Sequence, residues 1–198
     1  MRHLLAPYLI AALLALLAGC AATPPSRFYI LSPVAADAAA PPAGRPAAVG
    51  VGPVALPKYL DRPQIAVRSG AHELLYSETH RWAEALRDNV TEVLAENLAL
   101  LVPTDKVAVY PWGRSTTIDY QVVIEISRFD ADAGGNVVLS ANWRLYREGS
   151  REVVAQHKTA VTEPAGGTGY TEIVAAHSRA LAALSREIAA AIRAAAGR

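Results

Sequence analysis

The hydrophobic pattern of this chain changes character several times. Leu4 to Ala18 is an almost continuous apolar run broken only by Pro7, and residues 21–26 that follow Cys20 carry no period and two prolines. Beyond them the spacing of apolar positions alternates between two residues and three to four, the periods of half-buried strands and of helices lying on a core. Arg27 to Leu31 is a short β-prone run bounded by Pro25 and Pro33, and residues 34–48 form an Ala/Pro-rich connector. Ala48 to Leu56 alternates apolar with small residues, and a second alternating stretch starts at Gln64. A hairpin-like piece spans His72 to Tyr76. Trp82, Leu86, Val90, Val93, Leu94 and Leu98 then recur at helical steps, which predicts an amphipathic helix over 78–101, ended by Pro103.

After a short strand at 106–110, Tyr120, Val122, Ile124 and Ile126 alternate with Gln121, Val123, Glu125 and Ser127. Residues 130–136 read as a turn. Val137, Leu139, Ala141, Trp143 and Leu145 line one face of a return strand, and a third strand runs over 152–162, completing a meander. A glycine-rich break at 166–169 precedes a long helix from Tyr170, whose Ile173, Val174, His177, Leu181, Leu184, Ile188 and Ile192 form one stripe and which ends near Gly197. The order of elements predicts a single α/β domain: a mixed sheet of about six strands including an antiparallel meander, packed with two principal amphipathic helices. No internal repeat suggests a solenoid.

The first apolar run has a different meaning. Arg2 and His3 before it give the charged-then-greasy order of a secretory signal, and the run is too short and too close to the N-terminus for a spanning helix. It ends in Leu17-Ala18-Gly19 followed at once by Cys20, the only cysteine in 198 residues. This resembles a bacterial lipobox. Small side chains at Ala18 and Gly19 let a peptidase reach the bond between Gly19 and Cys20. The resemblance implies that the Cys20 thiol takes a thioether-linked diacylglycerol and that its freed amine, as in many bacteria, takes a further acyl chain such as palmitate. The expected organisation is a signal peptide over 1–19, a lipidated tether over 20–26 and one domain over 27–198. Ala21, rather than Asp, follows the cysteine, which resembles an outer-membrane address on the periplasmic face.

Loss of residues 1–19 from 198 leaves 179, enough for a real core, and removes Arg2 alone among the charged groups. The 19 Lys and Arg become 18 against 18 Asp and Glu, a neutral balance that excludes a nucleic-acid binder with a basic face. With Cys20 lipidated no thiol is left for a disulfide, so packing alone must hold the domain. Gly50-Val51-Gly52 lacks the third glycine and the helix of a nucleotide loop, and 166–169 lacks the Gly-Lys-Ser/Thr ending of a phosphate loop. The histidines at 72, 80, 157 and 177 show no zinc spacing, no Gly-x-Ser-x-Gly elbow occurs, and the acids near 130 lack calcium-loop spacing. Neither catalysis nor a metal has support. Pro57 and Pro63 bracket Lys58-Tyr59-Leu60-Asp61-Arg62, for which two readings stand. One is a loop whose Asp61 or Arg62 pairs with backbone or with the other; the second is a surface where Tyr59, Asp61 and Arg62 dock a partner or lipid.

Several motifs occur together and in order: the lipobox, Phe28-Tyr29-Ile30-Leu31, the Val-Gly-Val-Gly-Pro of 49–53, Tyr59 to Ile65, Arg81-Trp82-Ala83-Glu84, Val93 to Leu98, Arg128-Phe129-Asp130 and the Leu-x-Ala-x-Trp of 139–143. Over essentially the whole mature chain they resemble the ABC-type transport auxiliary lipoprotein family, the PqiC-like lipoproteins. Ala85 stands where many members have proline. The resemblance implies a non-enzymatic, lipid-anchored periplasmic accessory that docks the end of an MCE-type assembly moving lipid between two membranes. Energy would come from separate inner-membrane subunits, so no nucleotide is expected here, and no cofactor beyond the acyl groups on Cys20. Self-association into a ring suits a part that meets an MCE-domain protein. The alternative is a structural or assembly lipoprotein for outer-membrane biogenesis that does not touch transported lipid.

Overall fold

The computed structural model describes residues 24–33, 47–102 and 104–197. Gly19, Cys20, the first residues of the tether and most of the 34–48 connector lie outside them. Eight strands and two main helices follow in the order β1 (Arg27–Tyr29), β2 (Val49–Ala55), β3 (Gln64–Arg68), β4 (Leu74–Trp82), α1 (Leu86–Leu101), β5 (Val107–Val109), β6 (Tyr120–Asp132), β7 (Asn136–Arg147), β8 (Glu152–Pro164) and α2 (Tyr170–Ala196). The class is the expected mixed α/β, with more strands than the six or so read from periodicity. β1 and β5, three residues each, fall on the short runs read at 27–31 and 106–110, and each is held by a ladder to one neighbour, β4 and β2.

β6 is the spine. One of its edges pairs antiparallel with β7 along nearly its whole length, and β7 pairs with β8 in the meander read from the alternation. The other edge is shared between two parallel partners: β2 takes the first half, from Val49 opposite Tyr120 to Ala55 opposite Glu125, and β3 takes the end, with Val67 opposite Ala131. The sheet therefore divides into two branches beyond β6, one of β2 and β5, the other of β3, β4 and β1. Both helices cover one face. α1 lies on β2 and β5, and α2 crosses β6, β7 and β8 while packing against α1.

A bulge at Ser127 breaks the register with β7 between Ile126 and Arg128. One extra residue inverts the alternation that follows. Tyr120, Val122, Ile124 and Ile126 face the core before it; Phe129 and Ala131 face the core after it. Arg128, Asp130 and Asp132 consequently share the opposite face. The expected turn at 130–136 is thereby corrected: β6 continues to Asp132, and only 133–135 turn the chain.

The start of α1 is also corrected. Trp82 sits one helical turn before Leu86 and so fits the period, but 74–82 forms β4 and Trp82 is its buried last residue. Ala85 is the helix N-cap with φ −59°, a value close to the one a proline ring imposes, so alanine and proline are equally accommodated there. At the other end of α1 the Leu101 carbonyl accepts a bond from Arg193 Nη1 of α2 at 2.6 Å. The helices are further joined through buried Asn97, whose Nδ2 donates to Ser185 Oγ at 2.9 Å. Trp143 Nε1 donates to Thr159 Oγ1 at 3.0 Å, and Thr159 donates to Glu187, pinning α2 to the meander.

Candidate functional site

The proline-bracketed segment after β2 folds into one 3-10 turn, Lys58–Leu60, in which Leu60 N–H donates to the Pro57 carbonyl and Leu60 is buried. The structure places each residue of the expected docking loop in contact with another part of the chain. Tyr59 Oη donates to Asp130 Oδ2 at 2.7 Å. Asp61 accepts from Arg87 Nη2 of α1 at 3.3 Å, in a pair whose side chains are 59% and 46% exposed. Arg62 lies with its guanidinium 4.1 Å from the centre of the Tyr76 ring, and Tyr76 Oη donates back to the Tyr59 carbonyl at 3.3 Å. Tyr59 is thus an anchor reaching inward, while Asp61 and Arg62 remain on the outside of a braced loop.

What Tyr59 reaches is the one carboxylate among the described residues with no exposure at all. Asp130 Oδ1 accepts from Arg128 Nε at 2.9 Å and Arg68 Nε at 3.2 Å, and Oδ2 accepts from Arg68 Nη2 at 3.0 Å as well as from Tyr59. Burial by itself would raise its pKa, but the bonds from Arg68, Tyr59 and Arg128 outweigh it and hold the carboxyl below the usual range. Tyr59 moves the other way: burial, then the bond to Asp130, pushes its phenol up to about 12. The neighbouring Asp132 closes the 133–135 turn, accepting from the backbone N–H of Gly134 and of Asn136, each at 2.9 Å.

Below the same end of β6, on the helix side, His177 is fully buried. Its Nδ1 is 2.8 Å from the Ile173 carbonyl, and its ring stands edge-on to Phe129 and Trp82 at 4.7 and 5.6 Å. Burial depresses its pKa to about 4, so the imidazole is neutral in the folded chain at physiological pH. This is a packed core histidine. Nearby, His80 stacks on Tyr170 at 4.0 Å and its Nδ1 is 2.7 Å from Tyr29 Oη, which ties β1, β4 and the start of α2 together.

The other branch has a different cover. Gly50 faces away from the helices, between Val49 and Val51, which are fully buried. A Cβ at Gly50 would lie 2.7 Å from the Trp112 ring, and one at Gly52, where φ is +108°, 3.1 Å from Tyr110 Cβ. The glycines of 49–53 therefore make room for the Tyr110-Pro111-Trp112 turn, whose two rings meet edge-on at 5.5 Å. Beside it a cleft of about 290 Å³ is lined by Pro53, Arg87, Asp88, Glu92, Val109 and Tyr110, among others.

Among the described residues no three His, Cys, Asp or Glu side chains gather as metal ligands, and no helix is long and apolar enough to cross a membrane. The contacts around Asp130 and the 57–63 segment brace loops against the sheet. Sequence reasoning missed Asp130 as a hub, because Asp-Ala-Asp-Ala-Gly-Gly-Asn has turn composition. The signal available was Arg128-x-Asp130, two opposite charges at strand spacing just after an apolar alternation.

No curated protein matches the chain at a significant level. Among solved structures, a protein of Xanthomonas campestris is similar with a TM-score of 0.71 at 20% identity, over 87% of this chain and 98% of that one. An uncharacterized protein gives 0.70 at 21% identity, over 85% and 99%. At such identities they show that the fold is shared. The sequence model of the ABC-type transport auxiliary lipoprotein component matches residues 29–189, from inside β1 to deep in α2. The chain belongs to that family.

Proposed function

We propose that this lipoprotein is held at the periplasmic face of the outer membrane by acyl groups on Cys20 and docks the end of an MCE-type intermembrane lipid transport assembly. The observation that carries this reading is the family match over nearly the whole folded domain. The physical picture agrees with it. Two acyl chains suffice for stable anchoring, and the short tether limits how far the domain strays. The domain offers a braced loop on which Asp61 and Arg62 stay accessible while Tyr59 and Leu60 hold its base. The chain acts by binding; nucleotide hydrolysis belongs to other subunits, and self-association would multiply the docking surface.

A photo-crosslinking residue placed at Asp61 or Arg62 in the full-length chain tests this in cells. Capture of an MCE-domain protein is the expected result. Contacts confined to an outer-membrane barrel protein would overturn it in favour of an assembly role.

A further inference from the structure

The edge strand β1 presents a second surface. Along 28–31 the side chains alternate strictly: Tyr29 and Leu31 turn inward, while Phe28 and Ile30 are 64% and 56% exposed. The inner side is firmly held. Tyr29 Oη meets His80 Nδ1, Leu31 N–H donates to Asn89 Oδ1 of α1 at 2.8 Å, and Ala83 N–H donates to the Tyr29 carbonyl at 2.8 Å. Two large apolar side chains on a pinned, unpartnered sheet edge form an adhesive strip that a free-standing protein would blunt with charge.

Chain length points to what covers it. Six residues separate Cys20 from Arg27. Seven Cα steps at 3.3–3.6 Å span at most about 25 Å. If Cys20 carries the acyl anchor, on which this inference rests, the β1 end cannot leave the neighbourhood of the bilayer. Of the remaining large exposed apolar side chains, Leu75 lies on β4, six residues along from the Arg81 that pairs with Phe28, Val109 and Tyr110 lie at the end of the other branch, and Val153 lies on β8 at the opposite edge. Five interstrand steps of about 4.8 Å put β8 roughly 24 Å from β1 across the sheet. The basic side chains beside the strip, Arg27 and the Arg81 that stands opposite Phe28 in register, suit anionic headgroups.

We infer that the Phe28–Ile30 strip is a membrane-contact surface, seated in the headgroup region of the bilayer that holds the anchor, and that it orients the domain instead of leaving it to swing on its tether. The partner is the lipid surface itself, met by apolar side chains at headgroup depth with arginines beside them.

The test uses the full-length lipidated chain in vesicles of phosphatidylethanolamine and phosphatidylglycerol with brominated acyl chains, which quench nearby indoles. Two variants are compared, Phe28→Trp on the strip and Val153→Trp on the far edge, over the common background of Trp82, Trp112 and Trp143. The added emission of Phe28→Trp should be quenched at least about twofold more than that of Val153→Trp. Equal quenching at the two sites, or none at Phe28→Trp in a chain that mass spectrometry shows to be acylated, overturns the strip and leaves the anchor standing. A free Cys20 thiol overturns both. A concentration-dependent shift of the same emission in detergent without vesicles would assign the strip to a second copy of the chain, and would also overturn it.

Discussion

The branch of β3, β4 and β1 joins the spine strand under a cover of charge, where Arg68, Arg128 and Tyr59 close over Asp130. The branch of β2 and β5 joins the same strand under a cover of rings, where Trp112 lies on Gly50 and Tyr110 beside Gly52. In both covers loop residues are laid against a strand of the sheet. They differ in what sustains them. A buried carboxylate with four donors is held only while every partner stays and the group stays ionised. A ring on a glycine depends on shape alone and is indifferent to pH. Within one sheet, then, the first branch should yield to charge changes and acid, and the second only to volume.

Asp130→Asn is the largest blow to that contrast. It leaves two guanidinium groups facing a neutral amide and should cost about 4 kcal/mol in denaturant unfolding. A loss as small as that of an exposed pair would mean the charge cover contributes little.

Acid probes the same branch from below. The folded pKa of His177 is depressed to about 4 from 6.5, so its contribution is complete above the unfolded value. Between those limits the unfolded chain binds the proton that the folded chain refuses, so stability falls with falling pH, by about 3 kcal/mol in all. Asp130, also depressed, adds its share below the ordinary carboxylate range, lost as the pH falls through its folded value. Unfolding midpoints from pH 7 to 4 should show the slope in the parent chain and lose most of it in His177→Gln.

For the ring-covered branch, Gly50→Ala puts a methyl 2.7 Å from the Trp112 ring and should cost about 2 kcal/mol, the same at pH 7 and pH 5. Adding Trp112→Ala should cost less than the sum of the two single changes, since the methyl then has space. Strict additivity would show that the ring does not rest on Gly50. The smallest effect belongs to the loop itself. Arg62→Ala removes a cation held over the exposed side of Tyr76 and should cost below about 1 kcal/mol, which leaves this position free to be probed for docking without unfolding the domain.

Much of the fold was legible along the chain. The alternation at 120–126 and 137–145 found the two central strands, and the stripe from Ile173 to Ile192 found α2, because in each case one face is buried over many residues. Trp82 was misread since one tryptophan four residues before Leu86 satisfies a helical period as well as it ends a strand. The phase change at Ser127 was invisible because a bulge exists only relative to the partner strand. The lipobox-like stretch at 17–20 is local and is read without any fold, whereas the bracing of Asp61 by Arg87 and of Arg62 by Tyr76 joins residues distant in sequence.

By itself the amino-acid order determined the periods, hence the elements, the buried faces and the family resemblance, since those follow from neighbours within one turn or one strand. Only the tertiary structure decided that β6 would serve two parallel partners on one edge, that Asp130 would be sealed while Asp61 stayed out, and that Phe28 and Ile30 would end on an uncovered rim. Those outcomes depend on which segments meet in space, and the free energy of burial and pairing that selects them is shared among residues far apart along the chain.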